Sequence, residues 1–115
     1  MRGPGLRPIT FTIPSEKLTG YLLDPRHPQG GPKSRFFLGC GFTAERFAEL
    51  ATALLEHAAG SALVQTHATA HGTKFVFEGP LAMPNGRSTG VRSVWQIDAG
   101  AGPPARFITA VPLRA

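Results

Sequence analysis

Residues 74–97 decide the fold. Lys74-Phe75-Val76-Phe77-Glu78 alternates polar and apolar side chains and runs on to Leu81. Pro84-Asn85-Gly86-Arg87 follows. From Thr89 to Ile97 the alternation resumes, with Val91, Ser93, Trp95 and Ile97 on one face and Arg92, Val94 and Gln96 on the other. A period of two places successive side chains on opposite faces of a strand. Asn-Gly between two such runs is the strongest short hairpin signal and predicts a type I′ turn. Working outward, Ala62 to Thr66 reads as a preceding strand and Ala70-His71-Gly72-Thr73 as its turn. Gly100 to Pro104 reads as a loop, and Arg106 to Val111 as a last strand stopped by Pro112. The expectation is a four-strand antiparallel meander.

Upstream the period changes to that of a helix. Between Ala44 and Ala59, Phe47, Leu50, Ala51, Leu54, Leu55 and Ala58 recur on one helical face, with Thr43 as cap and Gly60 as stop. Ser15 begins a shorter helix in which Leu18, Tyr21 and Leu22 share a face, and Pro25 ends it. Lys33 to Leu38 forms a further short helix closed by Gly39 or Gly41. Residues 1–14 are rich in Gly and Pro and read as a flexible arm with a short extended piece from Ile9 to Ile13. Residues 15–115 then form a single α+β domain, its two to three helices covering one face of the sheet and leaving the other open.

Composition narrows the chemistry. A chain of 115 residues and 12.2 kDa is the size of one domain. Its lone Cys40 rules out an internal disulfide and a thiolate metal site. Gly39-Cys40-Gly41 carries no nucleophile signature, so a buried thiol is the simpler reading. The histidines are His27, His57, His67 and His71; His67 and His71 are four apart, but a strand end and a turn separate them, so that spacing does not place them on one helical face. Only Glu78 and Asp98 lie in the strand half, too few carboxylates for a hard-metal site. Neither a metal nor a cofactor is expected. No apolar run reaches membrane-spanning length, and the N-terminus lacks the apolar core of a signal peptide. No membrane association and a cytoplasmic location are therefore expected.

The net charge is +5. Its surplus gathers late in the chain, where residues 80–115 carry Arg87, Arg92, Arg106 and Arg114 against Asp98 alone. Such clustering attracts polyanions, although a solubility surplus would look the same. On the open sheet face, Lys74 and Glu78 share one side of their strand, and Arg92 and Gln96 one side of the next. Arg106 or Thr109 joins them according to register. Metal-free RNA cleavage needs a base for the 2′-hydroxyl, cations for the phosphorane and an acid for the leaving oxygen. An ordinary solvated face with weak cross-strand pairs fits the same spacing. The loop His27-Pro28-Gln29-Gly30-Gly31-Pro32-Lys33 offers an imidazole and an ammonium between two prolines, or simply connects two helices.

Several pieces of the chain form a recognisable pattern. They are Lys17-Leu18-x-x-Tyr21-Leu22-Leu23, His27-Pro28-x-Gly30-x-x-Lys33-x-x-Phe36-Phe37 and Gly41-Phe42-Thr43, then Gly72-Thr73-Lys74-Phe75-Val76, Gly79-Pro80-Leu81, Gly86-Arg87, Val94-Trp95-x-Ile97 and Arg106-x-Ile108-Thr109-Ala110-x-Pro112. Across about residues 15–112 this resembles a family of small bacterial domains of unknown function (domain of unknown function 6883). More distantly, helices followed by a four-strand meander ending in Ile108-Thr109-Ala110-Val111-Pro112 are similar to the barnase, colicin and RelE-like ribonuclease toxins. Val111 stands where those toxins carry an aromatic residue. The resemblance implies a substrate on the exposed sheet face. It implies His27 as acid or base, Lys74 and Arg92 as phosphate stabilisers and Thr109 as an orienting hydroxyl. Lys33, Arg87 and Arg106 would contact the nucleic acid. RNA and an acidic antitoxin or immunity-like protein are the partners this reading implies. A non-catalytic basic module that pairs with such an acidic protein is the alternative, and a structural or oligomeric domain built around Trp95 is a third.

Overall fold

The structure, a computed structural model, describes residues 10–29 and 31–113. Strands β2 (Ala62–Thr69), β3 (Gly72–Ala82), β4 (Ser88–Asp98) and β5 (Ala105–Pro112) form the expected antiparallel meander. The sheet nevertheless has five strands and is mixed. A short β1 (Phe11–Thr12) pairs parallel with β5, giving the order β1-β5-β4-β3-β2. Phe11 and Thr12 lie in the segment expected as a flexible arm, of which residues 1–9 fall outside the described part. The reason is aromatic packing: the Phe11 ring meets Trp95 edge-on at 5.0 Å and Phe77 at 5.8 Å. The short extended piece expected from Ile9 to Ile13 covers both residues, but two residues carry no periodicity that would place them in the sheet.

The helical layer follows the expected order with shifted ends. The first helix is a π-helical segment, Leu18–Leu22, in which Leu23 N–H donates to the Leu18 carbonyl at 2.8 Å. α1 (Gly31–Gly39) begins two residues before the expected Lys33, and α2 (Phe47–Gly60) begins three after Ala44. Thr43 does act as a cap, but for the turn ahead of α2: its hydroxyl accepts the Arg46 N–H at 3.2 Å. The β3–β4 turn also departs from expectation. Asn85 does not have the positive φ that a type I′ turn demands, while Gly86 has φ 85°. Gly86 N–H donates to the Met83 carbonyl and Met83 N–H to the Arg87 carbonyl, so the loop is three residues long. Pro84, with its fixed φ, suits the first central position of an ordinary type I turn followed by a left-handed glycine.

The alternation in β3 and β4 settles the faces. Register pairs Phe75 with Trp95, Phe77 with Ser93 and Gly79 with Val91, all toward the helices. Trp95, Phe77, Phe107, Leu81 and Val91 are fully buried there against Leu50, Leu54, Phe37, Leu18 and Leu22. Of the buried polar residues, Ser93 and His57 join Trp95 in one hydrogen-bonded chain. Trp95 Nε1–H donates to Ser93 Oγ at 2.8 Å, Ser93 Oγ lies 3.0 Å from His57 Nδ1, and His57 Nε2 lies 2.8 Å from the Val91 carbonyl. A carbonyl only accepts, so His57 carries its proton on Nε2 and receives the Ser93 hydroxyl on Nδ1. His57 is thus the seam that ties α2 to β4.

Burial lowers the His57 pKa, which its hydrogen bonds to the Val91 and Gly79 carbonyls only partly counter. The unfolded chain therefore takes up a proton near the ordinary histidine value that the folded chain refuses. Stability is expected to hold above about pH 6.5 and to fall as acid is added below it. Denaturant melts across that range should show the slope in wild type and its loss in His57→Gln. A second expectation concerns Gly72, whose φ is 140° and where a Cβ would strike the Ile97 carbonyl oxygen. Gly72→Ala should cost about 1–3 kcal/mol by the same melts, with unchanged circular dichroism in the absence of denaturant.

Candidate active site

Lys74, Val76 and Glu78 of β3 and Arg92, Val94 and Gln96 of β4 alternate with the core-facing residues and lie on the open face. Register arranges them in rows across the strands. Arg106, Gln96, Lys74 and His67 form one row; Thr109, Val94, Val76 and Gln65 the next; Val111, Arg92, Glu78 and Ala62 the third. Lys74 and Arg92 therefore do share the uncovered face, and both Arg106 and Thr109 join it. A register shift beside Val94 and Trp95 makes this compatible: β5 gains one residue there, so Arg106 and Thr109 both pair with outward-facing positions.

The expected cationic surface is largely neutralised. Arg92 is held by Glu78 at 2.6 Å and Arg106 by Asp98 in a bidentate pair at 2.9 and 3.0 Å. Hydrogen bonds from Arg106 and then from Gln96 hold the Asp98 carboxyl at about 2, well below its ordinary value. Among the described residues Lys74 makes no ion pair, and Arg87 sits exposed in the β3–β4 turn.

A second cluster forms where β5 runs past the end of β1. There the π-helical segment lies along the sheet edge, and Lys17 Nζ donates to the Ile108 carbonyl at 3.1 Å. The Tyr21 side chain reaches over this edge to the open face. Its hydroxyl accepts a hydrogen bond from Lys33 Nζ at 2.7 Å and lies 2.9 Å from Thr109 Oγ1. The His27 ring meets the Tyr21 ring edge-on at 5.1 Å. Lys17 Nζ and Lys33 Nζ lie 5.0 and 5.2 Å from the Tyr21 ring centre. Three of the residues singled out from sequence, His27, Lys33 and Thr109, are thus brought together around a phenol. Lys74 and Arg92 are not part of this cluster. Two strand spacings and a two-residue offset put Lys74 about 12 Å from Thr109.

Local sequence builds the cluster. Gln29 N–H donates to His27 Nδ1 at 3.0 Å, fixing the imidazole on the loop and leaving Nε2 to carry its proton. Gly31 N–H donates to the His27 carbonyl at 2.7 Å as α1 starts. A Cβ on Gly31 would lie 2.7 Å from the Pro25 carbonyl oxygen, so only glycine lets the loop fold back this tightly. Pro32 suits the first turn of α1, where its missing N–H costs nothing. Lys33 does not suit it, because a cation at a helix N-terminus opposes the dipole and no acid occupies that turn. The Tyr21 hydroxyl offsets this mismatch. Local conflicts of this kind are expected at functional or strained positions.

Tyr21 is the residue that sequence reasoning missed. Its spacing from Leu18 assigned it to the apolar helical face, yet Leu18 and Leu22 are buried while Tyr21 is only half-buried. Partial burial would push its phenol up. Hydrogen bonds from Lys33 and Thr109, with the charges of Lys33 and Lys17, outweigh burial and hold the phenol below its ordinary value of 10.0. A signal was present: Tyr21 is the only tyrosine in the chain and is flanked by Lys17 and Lys33.

Other features are less suited to a polyanion. A groove of about 420 Å³ between α2 and the β3–β4 hairpin is lined by Glu49 and Glu56 among apolar neighbours. Cys40 is buried, and burial pushes its thiol up, away from the reactive thiolate. Among the described residues no three His, Cys, Asp or Glu side chains converge as metal ligands. Among the described residues no helix is long and apolar enough to cross a membrane.

No curated protein matches the chain. Among solved structures, a chain of a contact-dependent growth inhibition toxin–immunity protein complex from Klebsiella pneumoniae 342 is similar in fold, with a TM-score of 0.67 and 19% identity. The alignment covers 90% of this chain and 93% of that one. The model of a domain of unknown function, DUF6883, matches residues 9–114, and the chain accordingly belongs to that family.

Proposed function

We propose that this domain is a metal-independent endoribonuclease of the toxin type, with its active centre at the Tyr21 edge of the open sheet face. The observation that carries the reading is the chain of contacts from Lys33 Nζ through the Tyr21 hydroxyl to Thr109 Oγ1, with the His27 imidazole packed on the same ring. It places a titratable imidazole, two ammonium groups and two hydroxyls at one exposed edge. His27 moves a proton, Lys33 and Lys17 stabilise the crowded phosphorane, and Thr109 orients a phosphate oxygen. Lys74 and Arg87, which make no ion pair among the described residues, guide the RNA backbone across the sheet, with Arg92 and Arg106 beside them in their ion pairs. A cleft of about 140 Å³ lined by His27, Pro25, Gly31, Pro32 and Arg35 adds a further cation beside the imidazole. The net charge of +5 and the fold shared with a toxin–immunity complex support the reading.

The same likeness favours a protein partner, and the basic charge favours an acidic one. In the toxin reading that partner is an inhibitor; in the alternative, pairing with it is the whole function. Incubation of the purified protein with total RNA, with and without chelator, separates them. Cleavage that persists in chelator is expected, with His27→Ala and Lys33→Ala each lowering the rate by about 100-fold or more. The Lys74→Ala and Arg92→Ala pair should instead weaken RNA binding and reduce its salt dependence by about one to two counterions. Intact RNA at high protein excess would leave the binding-module reading.

A further inference from the structure

We infer that the outer edge of β2 pairs with the β2 edge of a second copy of this chain, antiparallel and centred on His67, so that two sheets join into one. The inference goes beyond the ribonuclease reading and needs none of it, because it rests on sheet geometry and charge.

A sheet edge presents a row of unpaired backbone N–H and C=O groups, and folded proteins blunt such edges with a short strand, a lysine, a proline or a covering element. The two edges of this sheet differ. On one, the short β1 covers Ala105 and Arg106 of β5, and Lys17 Nζ takes the Ile108 carbonyl. On the other, β2 runs for eight residues as the last strand in the order, and among the described residues no strand lies beyond it. Its sequence holds no proline and no lysine, arginine, aspartate or glutamate. Val64, Thr66 and Thr69 are β-branched, which suits a strand. From Gln65 to Thr69 every residue is exposed, including Thr66 and Ala68 on the helix side.

Charge selects the occupant. Each copy carries +5, so two copies repel over much of their surfaces. Along β2 they can approach without setting like charges opposite each other. A second copy also brings the same unpaired edge, so each strand satisfies the other's backbone groups.

The bulge then fixes the register. Pairing with β3 shifts between Leu63 and Gln65, so the regular part of the edge is Gln65 to Thr69. A two-fold axis perpendicular to the sheet keeps each face continuous, so only residues that face the same way can meet. Full overlap of that regular part sets His67 opposite its own counterpart, Gln65 opposite Thr69 and Thr66 opposite Ala68. The open-face row of Arg106, Gln96, Lys74 and His67 then runs on into the same four residues in reverse order. The pair presents one broad platform with a Tyr21 corner at either end. On the ribonuclease reading, this doubles the track for an RNA backbone.

So short a pairing buries less than a standard interface, so a dissociation constant between about 10 µM and 1 mM is expected. Sedimentation equilibrium of the full chain should show the mass rising with concentration from 12.2 kDa toward twice that value. Cysteine placement reads the register. His67→Cys sets two thiols on paired positions with Cα atoms about 4.5–5.5 Å apart, within disulfide reach. Thr66→Cys sets them about 8 Å apart, beyond that reach. Cys40 is buried and stays out of the reaction. Under mild oxidation, His67→Cys should give a linked dimer at least about tenfold faster than Thr66→Cys. A chain that stays monomeric at about 1 mM overturns the inference and leaves the β2 edge to a strand of a different protein. A dimer in which Thr66→Cys links as fast as His67→Cys overturns it as well. Neither result touches the ribonuclease reading, which stands or falls on RNA cleavage.

Discussion

The burial of Trp95 is the constraint on which the rest of the molecule depends. Its indole is fully buried, packed edge-on against Phe107 at 5.2 Å and Phe11 at 5.0 Å, and its N–H is tied through Ser93 to His57. Such a side chain has one acceptable orientation, because the indole N–H must find a partner inside. Strand geometry then leaves no choice for its neighbours. If Trp95 and Ser93 face the helices, Arg92, Val94 and Gln96 face away, and a one-residue slip would exchange the two sets. The composition of the open face is in this sense dictated from the core side.

The core does not explain why Lys17, Tyr21, Lys33 and Thr109 meet at one edge of that face. That follows from the shortness of β1. Because β1 pairs only with Ala105 and Arg106, the outer edge of β5 beyond them is free for helical side chains. Lys17 fills part of that gap by bonding the Ile108 carbonyl, and Tyr21 wraps past it to Thr109. The tight Pro25–Gly31 turn then brings α1 back so that Lys33 closes on the same oxygen. A longer β1 would have paired the edge and excluded the phenol. The face itself, with Glu78 on Arg92 and Asp98 on Arg106, is a nearly neutral platform beside a cationic corner.

The meander and its faces were legible because period-two patterning in β3 and β4 is long and unambiguous, and α2 because its apolar stripe repeats over four turns. The turn at Pro84 was misjudged since Asn-Gly outweighed the preceding proline, whose φ selects a different turn. The extended piece containing β1 was legible, but its place as a fifth strand was not, because Phe11 packing on Trp95 and one parallel partner distant in sequence set it. Of the site, His27, Lys33 and Thr109 were named from chemistry and resemblance. Their meeting point was not, because Tyr21 satisfies a helical spacing and its partners are 12 and 88 residues away. Separations of that size are set by tertiary packing, which no local pattern records. Arg92 was placed on the open face and Arg106 or Thr109 left to the register, with weak cross-strand pairing kept as the alternative to a cationic surface. Neutralisation of the two arginines needed the register that sets Glu78 opposite Arg92 and the turn that brings Asp98 to Arg106.

The central claim is that RNA is engaged at the Tyr21 edge of the open face. The most direct measurement is the backbone amide and side-chain NMR spectrum of the full chain, titrated with a short RNA whose 2′-hydroxyls are replaced by methoxy groups so that it binds without being cut. The account predicts saturable shifts concentrated at Tyr21, His27, Lys33 and Thr109, extending across the sheet to Lys74, with little change in the groove at Glu49 and Glu56. Shifts confined to that groove, or none at RNA concentrations that saturate other small ribonucleases, would contradict it.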